Sequence, residues 1–331
     1  MENKVKKKFS KDILVIEDLE SVINKLVHKM KQDITIHMKR QGAVLGISGG
    51  VDSSVTLALA VKALGPERVL GLMMPEKESN SDSLRLGKEL AAQFGIQSLV
   101  ETVSGSLEGF GSYQRRDEAI KRVFPFFDPV TYKSKIGINQ SGLNSSLPPV
   151  FYLTIVAPDG TESRKMIPVR EYLQIVAASN FKQRSRMCML YYHAEVNNYA
   201  VIGTANKHEI EQGFFVKHGD GGVDSLPIGN LYKTQVYQFA EYLGIPREII
   251  ERTPTSDTYS AEQTQEEFFF QLPFYEMDLA WYGFEHDYDA AEVAEVMGKT
   301  ELEIKYIFHN FKRKQRTTEY LRMAPIRYEE I

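Results

Sequence analysis

The stretch AVLGISGGVDSSVTLALAVKAL, residues 43–64, limits what this chain can fold into more than any other. Its apolar opening reads as a buried strand, and the apolar spacing after the glycines reads as a helix. Ser48-Gly49-Gly50-Val51-Asp52-Ser53-Ser54 is then a turn from strand to helix, the place where α/β proteins hold phosphates. Gly49 and Gly50 offer backbone conformations closed to other residues and let a ligand approach the chain closely. The first turn of the helix leaves unpaired N–H groups aimed at an anion, and Ser48, Ser53 and Ser54 add hydroxyl donors. Asp52 is the odd member, because a carboxylate beside phosphate is repelled unless a cation lies between them. It therefore implies Mg²⁺, a hard cation suited to both kinds of oxygen. No G-x-x-x-x-G-K-[ST] occurs, which disfavours a Walker-type ATPase or GTPase.

The surrounding pattern extends the turn into a sheet. Leu14, Ile16, Leu19, Val22, Ile23 and Leu26 predict a long amphipathic helix over 13–40. Then come a helix over 53–64, a strand over 68–75, a helix over 82–94 and a strand over 97–103. This β-α-β-α-β run predicts an α/β fold with a doubly wound, Rossmann-like parallel sheet. A long helix from about 168 to 197 precedes a fourth strand over 199–204.

Between 104 and 168 the alternation breaks into an insertion. YQRRDEAIKRVF reads as a short helix and GINQSGLNSSLPP, residues 137–149, as loop; a hairpin turns at Pro158-Asp159-Gly160. Phe151, Leu153 and Ile155 alternate onto one hairpin face, which should pack on something because a lone hairpin is marginal in water. From 231 to 331 the chain reads as mainly helical. With no repeat and no low-complexity linker, the expectation is a single domain over 1–331 with a helical segment at 1–40 and these appendages.

Charge excludes some partners. Forty Lys+Arg against 44 Asp+Glu leave a net charge of -4, which makes no general case for nucleic acid or a membrane surface. No segment reaches the ~20 apolar residues of a membrane helix, and MENKVKKKFSKDILVIEDLE lacks the apolar core of a signal peptide. A cytoplasmic protein is expected. One cysteine, Cys188, rules out an intrachain disulfide or a cysteine-based zinc cluster.

The Ser-Gly-Gly-x-Asp-Ser string resembles the PP-loop of the ATP pyrophosphatase superfamily, which cleaves ATP to AMP and pyrophosphate. NFKQRSRM, GTANKHEIEQGFFVKHGDGGVDSLPIGNLYK and RTPTSD narrow the resemblance to NAD synthetases, and GFFVKHGDGGVDSLPI is its most specific piece. The fold this implies is adenine nucleotide alpha hydrolase-like. The resemblance implies ATP contacts at Gly46, Ile47, Ser48, Gly49, Gly50, Val51, Asp52, Ser53, Thr204, Lys233 and Thr255. It assigns Mg²⁺ to Asp52 and Glu209, and the deamido-NAD site to Arg184, Lys217 and Asp224. Arg184 and Arg186 cannot both face one ligand from a helix, and the motif match favours Arg184. Asp52 and Lys233 are the catalytic candidates, a lysine near the phosphates being able to stabilise charge as the α-phosphate is attacked.

The family's C-terminal His-Lys pair has no match; IFHNFKRKQR offers His309, Lys312 and Arg313 without that pair. The resemblance implies an ammonia-using enzyme in which the carboxylate of deamido-NAD becomes an acyl adenylate and is then amidated. It also implies a homodimer with the dinucleotide site close to the subunit interface. Amidation of another carboxylate, or a nucleotide sensor without turnover, are the alternatives.

Overall fold

The computed structural model describes residues 6–138, 150–255, 258–261, 263–265 and 269–328. In chain order, α1 (Leu19–Gln32) leads to β1 (Ala43–Gly46), α2 (Val51–Leu64), β2 (Val69–Met73), α3 (Ser81–Gln93) and β3 (Gln97–Val100). Next come α4 (Ser104–Gly109), α5 (Ser112–Val123), β4 (Lys133–Ile138), β5 (Phe151–Val156) and β6 (Glu162–Met166). Then α6 (Val169–Asn197) returns to β7 (Ala200–Ile202). After α7 (Lys207–Gln212), α8 (Lys233–Tyr242) and α9 (Arg247–Glu251), the chain finishes in α10 (Phe274–Glu285), α11 (Ala290–Met297) and α12 (Glu301–Arg322).

The main sheet is parallel, in the order β3-β2-β1-β7. Strand order reverses between β1 and β7, and ligands of open α/β sheets bind at the carboxyl ends of the strands beside such a reversal. Period-two alternation divides the core. Ala43, Leu45, Val69, Ala200 and Ile202 point to a cluster built with α1, α2, α3 and α8; Val44, Leu70, Leu72 and Val201 point the other way, onto Leu190 and Ala194 of α6. Helices thus cover both faces. α2 is buried almost all round because it lies between the sheet and α1 and α8, which is why its sequence is apolar beyond one stripe.

α6 has 29 residues, about 43 Å at 1.5 Å per residue, and so reaches well beyond the sheet. Its first half holds the insertion. β4, β5 and β6 form a three-stranded antiparallel sheet, in which Ile136, Leu153 and Ile155 pack on Ile120 and Phe124 and on Ile175 of α6. The predicted hairpin turns where expected, with Gly160 at φ 84°, and its apolar face is covered. The third strand went unread because Lys133–Ile138 carries a single alternating pair of isoleucines beside turn-like residues. Residues 139–149, most of the predicted loop, lie outside the described residues.

The expected helix over 13–40 starts instead at Leu19, where Asp18 accepts a hydrogen bond from Ser21 N (2.9 Å) and caps it. Before the cap, Phe9 and Leu14 are buried against the C-terminal helices. The strand over 97–103 stops at Val100, although Glu101 N still donates to Met73 O (2.9 Å). No described helix is long and apolar enough to cross a membrane.

Candidate active site

The loop after β1 is bonded to itself. Ser53 Oγ donates to Gly50 O (2.9 Å), Ser54 Oγ does the same (2.9 Å), and Ser48 Oγ lies 3.0 Å from Ser53 Oγ. Gly49 sits at φ 72°, where a side chain is strained, and a Cβ there would also stand 3.0 Å from Ser83 O. Gly50, by contrast, is at φ -98° and ψ 159°, open to any residue; only the first glycine needs its special freedom. No described side chain caps α2, so its first-turn N–H groups remain for an anion.

Asp52, in the first turn of α2, meets two partners from distant segments. Its Oδ2 pairs with Lys233 Nζ, and its Oδ1 accepts from Asn206 Nδ2 (3.2 Å). Lys233 is the first residue of α8 and is wholly buried; burial opposes its charge, but Asp52 and Glu209 hold its pKa above the ordinary lysine value. Glu209 belongs to a capping box at the start of α7: its backbone N donates to Asn206 Oδ1 (3.2 Å) and its carboxylate accepts from Asn206 N (2.9 Å). Burial and then the Asp52 carboxylate push Glu209 up to about 8, against the pull of Lys233.

Asp52 and Glu209 line a polar cavity of about 150 Å³ with Ser48, Thr204, Arg252 and Thr255, while Lys233 and Asn206 are buried behind Asp52. It adjoins a larger cavity of about 610 Å³, and Ser48, Ser83, Thr204, Glu209, Thr255 and Gln265 belong to both linings. Gly46 and Ile47 line the larger cavity, and Gly50, Val51, Asp52 and Ser53 the smaller. Among the described residues no three His, Cys, Asp or Glu side chains form a metal cluster. Two carboxylates are nonetheless the donor set of a Mg²⁺ ion that takes its remaining ligands from phosphate and water. The destabilised Glu209 carboxylate, one cation short of balance with Asp52, fits that ion.

α6 walls the larger cavity with Tyr172, Val176, Ser179, Gln183, Arg186 and Leu190, spaced alternately four and three residues apart along one face. Arg186 is therefore the arginine that faces the cavity, its Nε donating to Met74 O (3.1 Å). Arg184, about 200° round the helix, leans outside the lining toward Lys217 O (3.4 Å). Lys217 also lies outside it, its ammonium donating to Tyr320 O (2.8 Å) and Met323 O (2.9 Å) at the carboxyl end of α12. Asp224 is engaged by Tyr191 OH (3.0 Å) and Val201 N (2.8 Å), which ties the glycine-rich loop to β7. The carboxylate of that loop that does line the cavity is Asp220, which accepts from Val216 N (2.7 Å) and is pushed up to about 6 by burial.

Sequence reasoning missed Arg252, whose guanidinium reaches Gly49 O (3.4 Å) and Ser83 Oγ (3.1 Å) across the loop. Its place directly before the RTPTSD threonines was the available signal. Ser179 Oγ and Gln265 Oε1 were also missed; both are buried in the lining with no hydrogen-bond partner among the described residues.

The NAD synthase family profile matches residues 22–123 and 160–324. An NH₃-dependent NAD⁺ synthetase of Mesorhizobium japonicum is 44% identical over 318 residues, covering 95% of this chain and 98% of that protein. The chain belongs to the NAD synthase family. A second NH₃-dependent NAD⁺ synthetase, of Rhizobium meliloti, is 43% identical over 317 residues, 96% of this chain and 94% of that one. Among solved structures, NMN synthetase of Francisella tularensis has a TM-score of 0.61 at 21% identity, covering 94% of this chain and 98% of the other. NH₃-dependent NAD synthetase of Campylobacter jejuni has a TM-score of 0.61 at 21% identity, covering 93% and 98%. At that identity the likeness is one of fold. NAD synthases are ligases that form a C–N bond with ATP as substrate. Residues 124–159, between the two matched spans, hold β4 and β5.

Proposed function

We propose that this NAD synthase uses ammonia to amidate deamido-NAD, and that one synthetase unit built from the whole chain does so. The observation that carries the reading is the pair of adjoining cavities, a small polar one around the PP-loop and a large, partly aromatic one beside it. ATP phosphates occupy the first and the dinucleotide acid the second. The acid's carboxylate attacks the α-phosphorus of ATP, releasing pyrophosphate and leaving an acyl adenylate. Ammonia then attacks the carbonyl and displaces AMP, with no covalent nucleophile from the protein.

Loop N–H groups, Thr204 and Thr255 hold the phosphates, while the Lys233 ammonium neutralises charge building on them. Asp52 and Glu209 would hold Mg²⁺, which when bound would offset pyrophosphate charge. Arg184 and Lys217 stand together outside the cavity, so their contact with the dinucleotide comes at a subunit interface. The exposed Leu173, Tyr192 and Val196 of α6 supply apolar surface for a homodimer there. Light scattering should give twice the chain mass; a fully active monomer contradicts the dimer.

The deciding assay measures AMP release with ATP, Mg²⁺ and ammonia. Deamido-NAD is compared with the corresponding mononucleotide acid and a panel of other carboxylates. Turnover highest with the dinucleotide supports the reading, and a preference for another acid overturns it.

A further inference from the structure

Asp278 and Glu285 lie two turns apart on α10, about 10 Å along the same face. Each carboxylate grips two segments that are themselves distant in sequence. Asp278 Oδ1 accepts from His208 Nε2 (2.5 Å) and from the Lys233 backbone N (3.3 Å), and its Oδ2 accepts from Thr234 N (2.7 Å). Glu285 Oε1 accepts from Lys207 Nζ (2.6 Å) and its Oε2 from Tyr232 OH (2.6 Å). Residues 207 and 208 directly precede Glu209, and residues 232 to 234 enclose Lys233.

We propose that these two carboxylates form a clamp that sets Glu209 and Lys233 at their working positions around Asp52. The inference rests on the reading of Glu209 and Lys233 given above. Asp278 and Glu285 are positioning residues, since each acts through groups it holds rather than on substrate.

Asp278 and His208 are both fully buried, within an aromatic cluster where His208 meets Trp281 edge-on (5.7 Å). A carboxylate there costs desolvation that an apolar side chain of similar volume would avoid, so packing alone gives no reason for it. Its three N–H donors do. Two of them are the opening amides of α8, whose partial positive charge a carboxylate complements. Lys233 is thereby fixed at both ends, by Asp278 at its main chain and by Asp52 at its ammonium. Without the first anchor its four-bond side chain would carry the play of the whole α8 terminus to the phosphate site.

The test uses the intact chain and the variants Asp278→Ala, Asp278→Asn, Glu285→Ala, Lys233→Met and Glu209→Gln. AMP formation is followed over a range of ATP and dinucleotide-acid concentrations, with thermal unfolding recorded for each. The clamp predicts that Asp278→Ala and Glu285→Ala, folded at the assay temperature, lose tenfold or more in kcat while KM for the acid stays within twofold. Asp278→Asn, which keeps the Oδ1 acceptor, recovers most of the loss. Lower melting temperatures with unchanged kcat per folded molecule would make both residues structural and overturn the proposal. Glu285 is partly exposed, so its variant carries the test if Asp278→Ala does not fold. Normal kcat in Lys233→Met and Glu209→Gln overturns the catalytic reading and the clamp together. Loss of kcat there, with normal kcat in the α10 variants, overturns the clamp alone.

Discussion

Lys233 and Asp52 form an ion pair across 181 residues of chain, with the ammonium wholly buried and the carboxylate on the wall of the smaller cavity. The pair joins α2, the helix that follows β1, to α8, the helix that follows the glycine-rich loop. Glu209 is the second carboxylate that favours the Lys233 ammonium, and its own charge is destabilised by burial and by Asp52.

Lys233→Met should therefore lower kcat by about 10²–10³, the cost of removing one charge-stabilising donor from a preorganised site. Lys233→Arg should not rescue it, because a fully buried position has no room for the larger planar head. AMP release at saturating substrates reads the effect. A kcat within threefold of the parent would remove Lys233 from the chemistry.

Glu209 has two jobs that substitution can separate. Its carboxylate closes the capping box with Asn206, so Glu209→Ala should cost about 1 kcal/mol of stability, visible in thermal unfolding, besides its loss of turnover. Glu209→Gln keeps an oxygen for Asn206 N and removes a destabilised charge, so it should melt no lower than the parent, yet still lose most activity and need more Mg²⁺ for half-maximal rate. Equal Mg²⁺ requirement in the parent and the Gln variant would take the ion away from Glu209.

Asp220 makes a pH prediction with a definite sign. Burial raises its carboxyl from 3.8 to about 6, so the folded protein binds more protons there than the unfolded chain between those values. Its contribution to stability is full below pH 3.8 and is lost as pH rises through about 6. Asp220→Asn imitates the neutral form at every pH and keeps the acceptor for Val216 N. The variant should match the parent near pH 4 and exceed it by up to about 3 kcal/mol above pH 7, since each pKa unit is ~1.4 kcal/mol. Urea unfolding at the two pH values checks it. A difference independent of pH would show that the carboxyl is not held neutral.

Phe151 of β5 stacks on Tyr172 of α6 with ring centroids 4.4 Å apart, and both line the large cavity. Phe151→Ala should raise KM for the dinucleotide acid about 2- to 10-fold, matching ~0.5–1.5 kcal/mol for an aromatic pair, and leave KM for ATP within twofold. Equal rises in both constants would mean that the inserted sheet does not favour the acid side of the site. Shortening 137–149, most of which lies outside the described residues, should likewise affect the acid more than ATP.

What the amino-acid sequence determined by itself was everything carried by local period and local turn chemistry. The continuous apolar runs of β1 and β2, the apolar spacing of α2 and α6 and the glycine turn at 49 are short-range steric facts, and they located the sheet, its ligand edge and the loop. The family motifs then pointed to Thr204, Glu209, Lys233 and Thr255; Thr204, Glu209 and Thr255 line the smaller cavity, and Lys233 pairs with Asp52 beside it. Tertiary structure alone decided which way each long side chain points. Residue spacing told that Arg184 and Arg186 part company, but only the packing of α6 against the sheet turned Arg186 into the cavity. Lys217 found the end of α12, Asp224 found Tyr191 and Val201, and Arg252 crossed to Gly49. Asp278 and Glu285 look like ordinary acidic residues of an amphipathic helix until His208, Lys207 and the start of α8 are folded onto them. The physical reason is that a sequence period sets the angle between neighbours on one element, whereas the partner of a buried charge is set by the docking of elements that share no local interaction.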